Sequence, residues 1–208
     1  MTSLRRLLSA ASASLFVAVF VVGCVSSPPR QSEDLCELFD DRPRWFKAAA
    51  RVEKRWRVPI EIQMAFVQRE SSFNARARPP RRRLLGFIPW RRPSSAYGYA
   101  QATNATWQDY RSATGRRFAD RNNFSDALDF VGWYNNESHD RLGLRFDDAY
   151  RLYLAYHEGR GGYARGSYKR RPKVVAYART VADRAQRYGN QLAKCRKRFE
   201  RRRRFLFF

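Results

Sequence analysis

No stretch of this chain alternates apolar and polar residues convincingly with period two; its apolar positions recur instead every three or four residues. That spacing predicts a mostly α fold. Residues 45–57 are rich in helix formers. Val58-Pro59 interrupts them, and Pro59 suits the first turn of a second helix carrying Ile60, Met64 and Val67 at helical spacing. Residues 74–96 read as irregular, punctuated by Pro79, Pro80, Pro89 and Pro93. A helix is predicted near residues 100–112. Ser125-Asp126 reads as an N-cap with an acid in the first turn, opening a helix to about His139. Asp147 or Asp148 opens another, covered by Tyr150, Leu152, Tyr153, Leu154 and Tyr156 and ended by Gly159, Gly161 and Gly162. A long basic helix follows Pro172 toward Cys195.

The chain has 208 residues, enough for one domain with a real core, and its 15% aromatic content excludes a disordered composition. Arg5 and Arg6 precede an unbroken apolar run over residues 15–22, too short to span a bilayer and suited to a signal peptide. The run ends at Val21-Val22-Gly23-Cys24, which resembles a bacterial lipobox whose cysteine becomes the lipidated first residue; an ordinary signal peptide that carries a cysteine is the alternative. Val25 is not the Asp that marks inner-membrane retention in enteric bacteria, so the outer membrane is the expected location. The boundaries read as signal 1–23, linker 24–35, domain 36–195 and basic-aromatic tail 196–208. An oxidising periplasm would permit a bond between Cys36 and Cys195, stapling the two ends of the domain; two separate thiols are the alternative.

The net charge is +23, which draws a chain to polyanions. Charge alone admits nucleic acid, but no zinc-finger, helix-turn-helix or RNA-binding motif accompanies it, and nucleic acid is not the expected partner. The tail, RKRFERRRRFLFF, mixes basic and aromatic residues; it reads as mobile and as a contact for an anionic membrane surface. Residues 76–92 hold seven arginines and no acid, with Phe87, Ile88 and Trp90 among them. This segment reads as a loop bordering a cleft.

Three segments stand out together: Glu70-Ser71-Ser72-Phe73, Ala96-Tyr97-Gly98-Tyr99-Ala100-Gln101, and Ala155-Tyr156-His157-Glu158-Gly159. In this order they resemble the lytic transglycosylase domain of the soluble lytic transglycosylase superfamily, a lysozyme-like fold related to goose-type lysozyme. The family pattern is a Glu-Ser pair closing a helix, then Gly-Leu-Met-Gln, then Ala-Tyr-Asn-Ala-Gly. The likeness covers about residues 44–190 and looks like a lipoprotein branch. The chain departs from the pattern at Tyr99 and Ala100, and at His157 and Glu158.

The resemblance implies a peptidoglycan-cleaving enzyme that needs no cofactor or metal. It implies Glu70 as a single general acid and base, with 1,6-anhydromuramic ends as product. The rivals are a muramidase giving hydrated ends and a non-catalytic wall-binding lipoprotein. The residues themselves allow the chemistry: Glu70 is four positions from Phe66 and three from Val67, at the edge of an apolar helix face, where desolvation raises a carboxyl pKa. The resemblance further implies substrate contacts from Ser71, Tyr97, Gly98, Tyr99, Gln101, Tyr156 and His157, and an approach of Tyr177 to the carboxylate. Gly98 is either a turn glycine or a place where backbone meets sugar. Glu158 is either a second cleft carboxylate or an acid paired with Arg160 or Arg165. Two histidines without His-Glu-x-x-His spacing argue against zinc.

Overall fold

The computed structural model describes residues 27–29, 31–81 and 83–205. The expected signal peptide and Cys24 lie outside them. The elements are α1 (Leu35–Asp41), α2 (Pro43–Trp56), α3 (Ile60–Ser71), a hairpin of β1 (Arg83–Leu84) and β2 (Ile88–Pro89), α4 (Asn104–Thr114), α5 (Phe124–Leu142), α6 (Ala149–Glu158), α7 (Arg160–Ala164), a 3-10 turn (Ser167–Arg170) and α8 (Pro172–Phe205). The mostly α expectation holds. The irregular segment contains the short antiparallel hairpin, pairing Arg83 with Pro89 and Leu84 with Ile88.

Local chemistry explains the boundaries. Pro43 opens α2, and Arg57 ends it in the left-handed region at φ 61°. The predicted cap of α5 is corrected: Asn123, not Ser125, accepts from the Asp126 amide at 3.2 Å. Ser125 falls inside the first turn and accepts from Arg51 at 3.1 Å instead. The helix expected from residue 100 begins at Asn104 under a Thr103 cap. Gln101 sits at φ 49°, which no helix can include. Gly159 alone breaks α6; Gly161 and Gly162 belong to α7.

α3 is central. It packs against α2, α5 and α8, and α6 packs against α5, α7 and α8. The α2–α5 crossing depends on Gly132, where a Cβ would fall 2.5 Å from Val52 and 2.6 Å from the Trp56 ring. Buried Asp129 binds the same region: it accepts from Trp56 Nε1 at 2.9 Å and from the Tyr110 hydroxyl at 2.7 Å, with Arg55 and Arg116 nearby. Each partner satisfies part of a charge that would be costly to bury alone.

Both expected ends of the domain move outward. Leu35 is fully buried and its amide donates to Gln191 at 2.9 Å, while Glu33 pairs with Arg184 at 2.8 Å. The expected tail is the end of α8 as far as Phe205. Phe199 is buried against Phe39 and Phe46, Arg196 pairs with Glu53, and Arg198 and Arg202 pair with Asp40. Leu192, Cys195 and Phe199 share one face at helical spacing, so this stretch has a core side beneath its arginines. Cys36 and Cys195 are joined in a disulfide, with Cα atoms 6.1 Å apart.

Candidate active site

α3 closes at Ser72, whose backbone at φ 49° donates its N–H to the Gln68 carbonyl. Phe73 at φ 59° repeats the left-handed turn, which drives its ring into the core against Trp45 at 5.3 Å. Glu70 is thereby held in the last helical turn, beside carbonyls that carry the negative end of the helix. One turn below, Phe66 meets the rings of Tyr153 and Tyr156 edge-on at 5.3 and 5.4 Å. The carboxyl therefore stands on an aromatic floor.

Glu70 lines a cavity of about 680 Å³ together with Ala96, Gln101, Phe130, Tyr134, Tyr156, His157 and Glu158. Pro93, Ser94, Thr103, Thr106 and Arg171 also line it. Burial pushes the Glu70 carboxyl up to about 7, against the opposing pull of a Tyr153 hydroxyl hydrogen bond and the Arg69 charge. Such a group holds its proton near neutrality and can give it away.

The second carboxyl of the cavity behaves differently. Burial would raise Glu158, but the Ser167 hydroxyl, His157 and Arg171 outweigh it and hold the group below its ordinary value. Ser167 donates at 2.6 Å and Arg171 at 2.7 Å; the side chain is 4% exposed. The expected partners Arg160 and Arg165 are thus replaced by Arg171 and Ser167. Arg160 lies over the Tyr134 ring at 4.4 Å.

The middle segment forms a tight turn rather than a surface of contacts. Gly98 at φ 78° packs so closely on the Arg121 backbone that a Cβ would lie 2.1 Å from its carbonyl oxygen. Its amide donates to Ala77 at 3.0 Å. Turn geometry, not approach of a sugar, accounts for this glycine, which lies off the cavity wall. Tyr99 is corrected from a substrate contact to a core residue: its ring meets Trp45 and Phe124 edge-on at 5.9 and 5.2 Å. Tyr97 lies outside the lining, with Arg78 over its ring at 4.3 Å and Arg121 at 5.4 Å. Gln101 does reach the cavity. Its Nε2 donates to Ala77 and Gly98, both at 2.9 Å, so this amide also holds the turn shut.

Ser71 donates to the Val67 carbonyl at 3.1 Å and is not in the lining. Tyr156 is on the wall and donates to the Ala100 carbonyl at 2.6 Å, tying α6 to the turn. His157 is also on the wall, with Nδ1 3.3 Å from Glu158. Tyr177 is not in the lining; Arg69 stacks over its ring at 3.7 Å, and the ring of His157, which does line the cavity, lies 6.5 Å from it. Tyr153 is the residue sequence reading missed. It lies three positions before Tyr156 on the same face of α6, which was the signal available. Among the described residues no His, Cys, Asp or Glu group could hold a metal ion.

A second hollow of about 620 Å³ lies over Glu61, Arg145, Asp147, Asp148 and Tyr150. Two of its acids are already used: Asp147 binds Arg145 at 2.6 Å and Asp148 caps α6. Its third acid, Glu61, is also raised by burial, but of the two hollows only the one around Glu70 holds a carboxyl pushed up to about 7.

The family model described as the transglycosylase SLT domain matches residues 12–195. The chain belongs to that family. It is a lytic transglycosylase of the lysozyme-like superfamily, an enzyme acting on peptidoglycan. No curated protein and no solved structure matches the chain. In this transglycosylase the three segments that carried the resemblance meet at one cleft, but they contribute unequally: Glu70, Gln101, Tyr156 and His157 line it, whereas Gly98 and Tyr99 build the wall behind it.

Proposed function

We propose that this transglycosylase cleaves the β-1,4 bond between N-acetylmuramic acid and N-acetylglucosamine with Glu70 as its single general acid and base. Protonated Glu70 gives its proton to the glycosidic oxygen as the C1–O bond breaks, and the muramic acid's 2-acetamido group stabilises the charge at C1. The Glu70 carboxylate then takes the proton of the C6 hydroxyl as O6 bonds to C1. The glycosidic bond is exchanged for an intramolecular one between C1 and O6, no water is consumed, and Glu70 is returned protonated.

The observation that carries this reading is the unequal state of the cleft's two carboxyls. Glu70 is desolvated with a pKa of about 7, whereas Glu158 is engaged by Ser167, His157 and Arg171. A glycosidase that uses water needs a second carboxylate able to act as base or nucleophile, and here that group is already occupied. Mass spectrometry of digested peptidoglycan tests the reading. Anhydro ends support it. Hydrated ends indicate a muramidase in which Glu158 activates water, and intact glycan indicates a binding module. Gln101, Tyr156 and His157 are the side chains we assign to sugar contact.

We also propose that Cys24 carries lipid and holds the enzyme on the periplasmic face of the outer membrane. What supports it is the Val21-Val22-Gly23-Cys24 sequence after the apolar run. Metabolic labelling with an alkyne fatty acid should mark the chain, and Cys24→Ser should remove the mark.

A further inference from the structure

The expected membrane contact at the end of the chain loses much of its material in the fold, because Arg196, Arg198 and Arg202 pair with acids and Phe199 is buried. A different element has what that stretch lacks. In the hairpin, Leu85 is 76% and Phe87 72% exposed, and Ile88 and Trp90 are exposed beside them. Leu85 at φ 53° and Gly86 at φ 80° turn the chain so that Leu85 and Phe87 flank the tip. Arg81, Arg83, Arg91 and Arg92 stand at its base, all exposed. No acid occurs between residues 76 and 92, and no described arginine of that segment is in an ion pair with a described residue.

We infer that the β1–β2 hairpin docks the enzyme on an anionic lipid surface, with Leu85 and Phe87 entering the acyl boundary and the basal arginines meeting head-group phosphates. Three features select this partner. Aromatic rings alone would suit sugar faces, but Leu85 and Ile88 offer a glycan nothing, and their burial requires an apolar medium. The arginine base is complementary to phosphate oxygens, which it can bind bidentately. A second copy of a chain carrying +23 would be repelled from the same surface. The scale also fits: a tip about three residues beyond the base reaches roughly 10 Å, the depth to which interfacial elements enter. Pro93 and Ser94, which line the cleft, follow β2 closely, so docking would hold one rim of the cleft against the bilayer.

The test uses the full chain carrying Cys24→Ser, with a dye that brightens in hydrocarbon attached at Leu85→Cys. A matched chain carries the dye at Phe118→Cys, a fully exposed site outside the hairpin. Vesicles of phosphatidylglycerol should raise emission at position 85 by about threefold or more and leave position 118 nearly unchanged, as expected for a shallow local insertion. Phosphatidylcholine vesicles should do much less, and Arg81→Glu with Arg91→Glu should remove the response. Attachment through the N-terminal apolar run alone would leave the dye at 85 dark. That result, equal brightening at both positions, or brightening with solubilised peptidoglycan but not with lipid would each overturn the inference.

Discussion

Glu70 and Glu158 end different helices and share one cleft, yet only one of them can hold a proton near neutral pH. Both sit in a last helical turn, and burial works to raise both. The difference lies in their neighbours. Glu70 has one phenol and one cation, the latter stacked on Tyr177, and desolvation wins. Glu158 has a hydroxyl, a histidine and a guanidinium, and desolvation loses. Position at a helix end does not decide a carboxyl's role; the count of compensating donors does.

The largest expected effect follows directly. Glu70→Gln should lower release of muropeptides by about 10³-fold, in the range of general acid–base contributions, with the fold intact by circular dichroism. Glu158→Gln should cost far less. Equal losses would break the comparison and make the two acids partners.

The pH dependence separates them next. The pKa of Glu70 is raised, so its contribution to stability is fully present below about 4.5 and lost as the pH rises through about 7. Glu70→Gln should therefore stabilise the protein at pH 8 by up to about 3 kcal/mol, and hardly at pH 4. Glu158 has the opposite sign: its lowered pKa gives stability above its unfolded value that is lost as the pH falls. Urea unfolding at several pH values measures both. Activity should decline as the pH climbs past about 7, because Glu70, the proposed general acid, then loses its proton.

Smaller changes sharpen the account. Tyr153→Phe removes the hydroxyl that favours the Glu70 carboxylate, so the alkaline limb of the pH–rate profile should move upward. A downward move would mean that the phenol is not the group opposing desolvation. Ser167→Ala should cost about 1–3 kcal/mol by leaving Glu158 short of a donor, and should raise the Glu158 pKa, which NMR titration would report.

Much of this was legible beforehand, for identifiable reasons. Helical spacing announced α3, α5, α6 and α8, and the ordered segments brought Glu70, Gln101, Tyr156 and His157 to one place. Motif position said nothing about direction, so Tyr99, next to a glycine that turns the chain, was read as facing the cleft when it faces Trp45. Tyr153 was hidden among the apolar and aromatic residues that cover α6. The hairpin strands are two residues long, too short to display a period of two. Phe199 was masked by the arginines around it, although its spacing from Cys195 and Leu192 carried the core face onward.

The Gln101 side chain gives the cleft a polarity. An amide can both donate and accept, but this one has both donated hydrogens committed to Ala77 and Gly98. Only its oxygen remains for a ligand, so at this point the wall can listen but not speak: it can accept from a group that brings an N–H or O–H and has no hydrogen to offer a bare carbonyl. An acetamido sugar carries such an N–H, and an ester or a ketone in its place would find no answering hydrogen there.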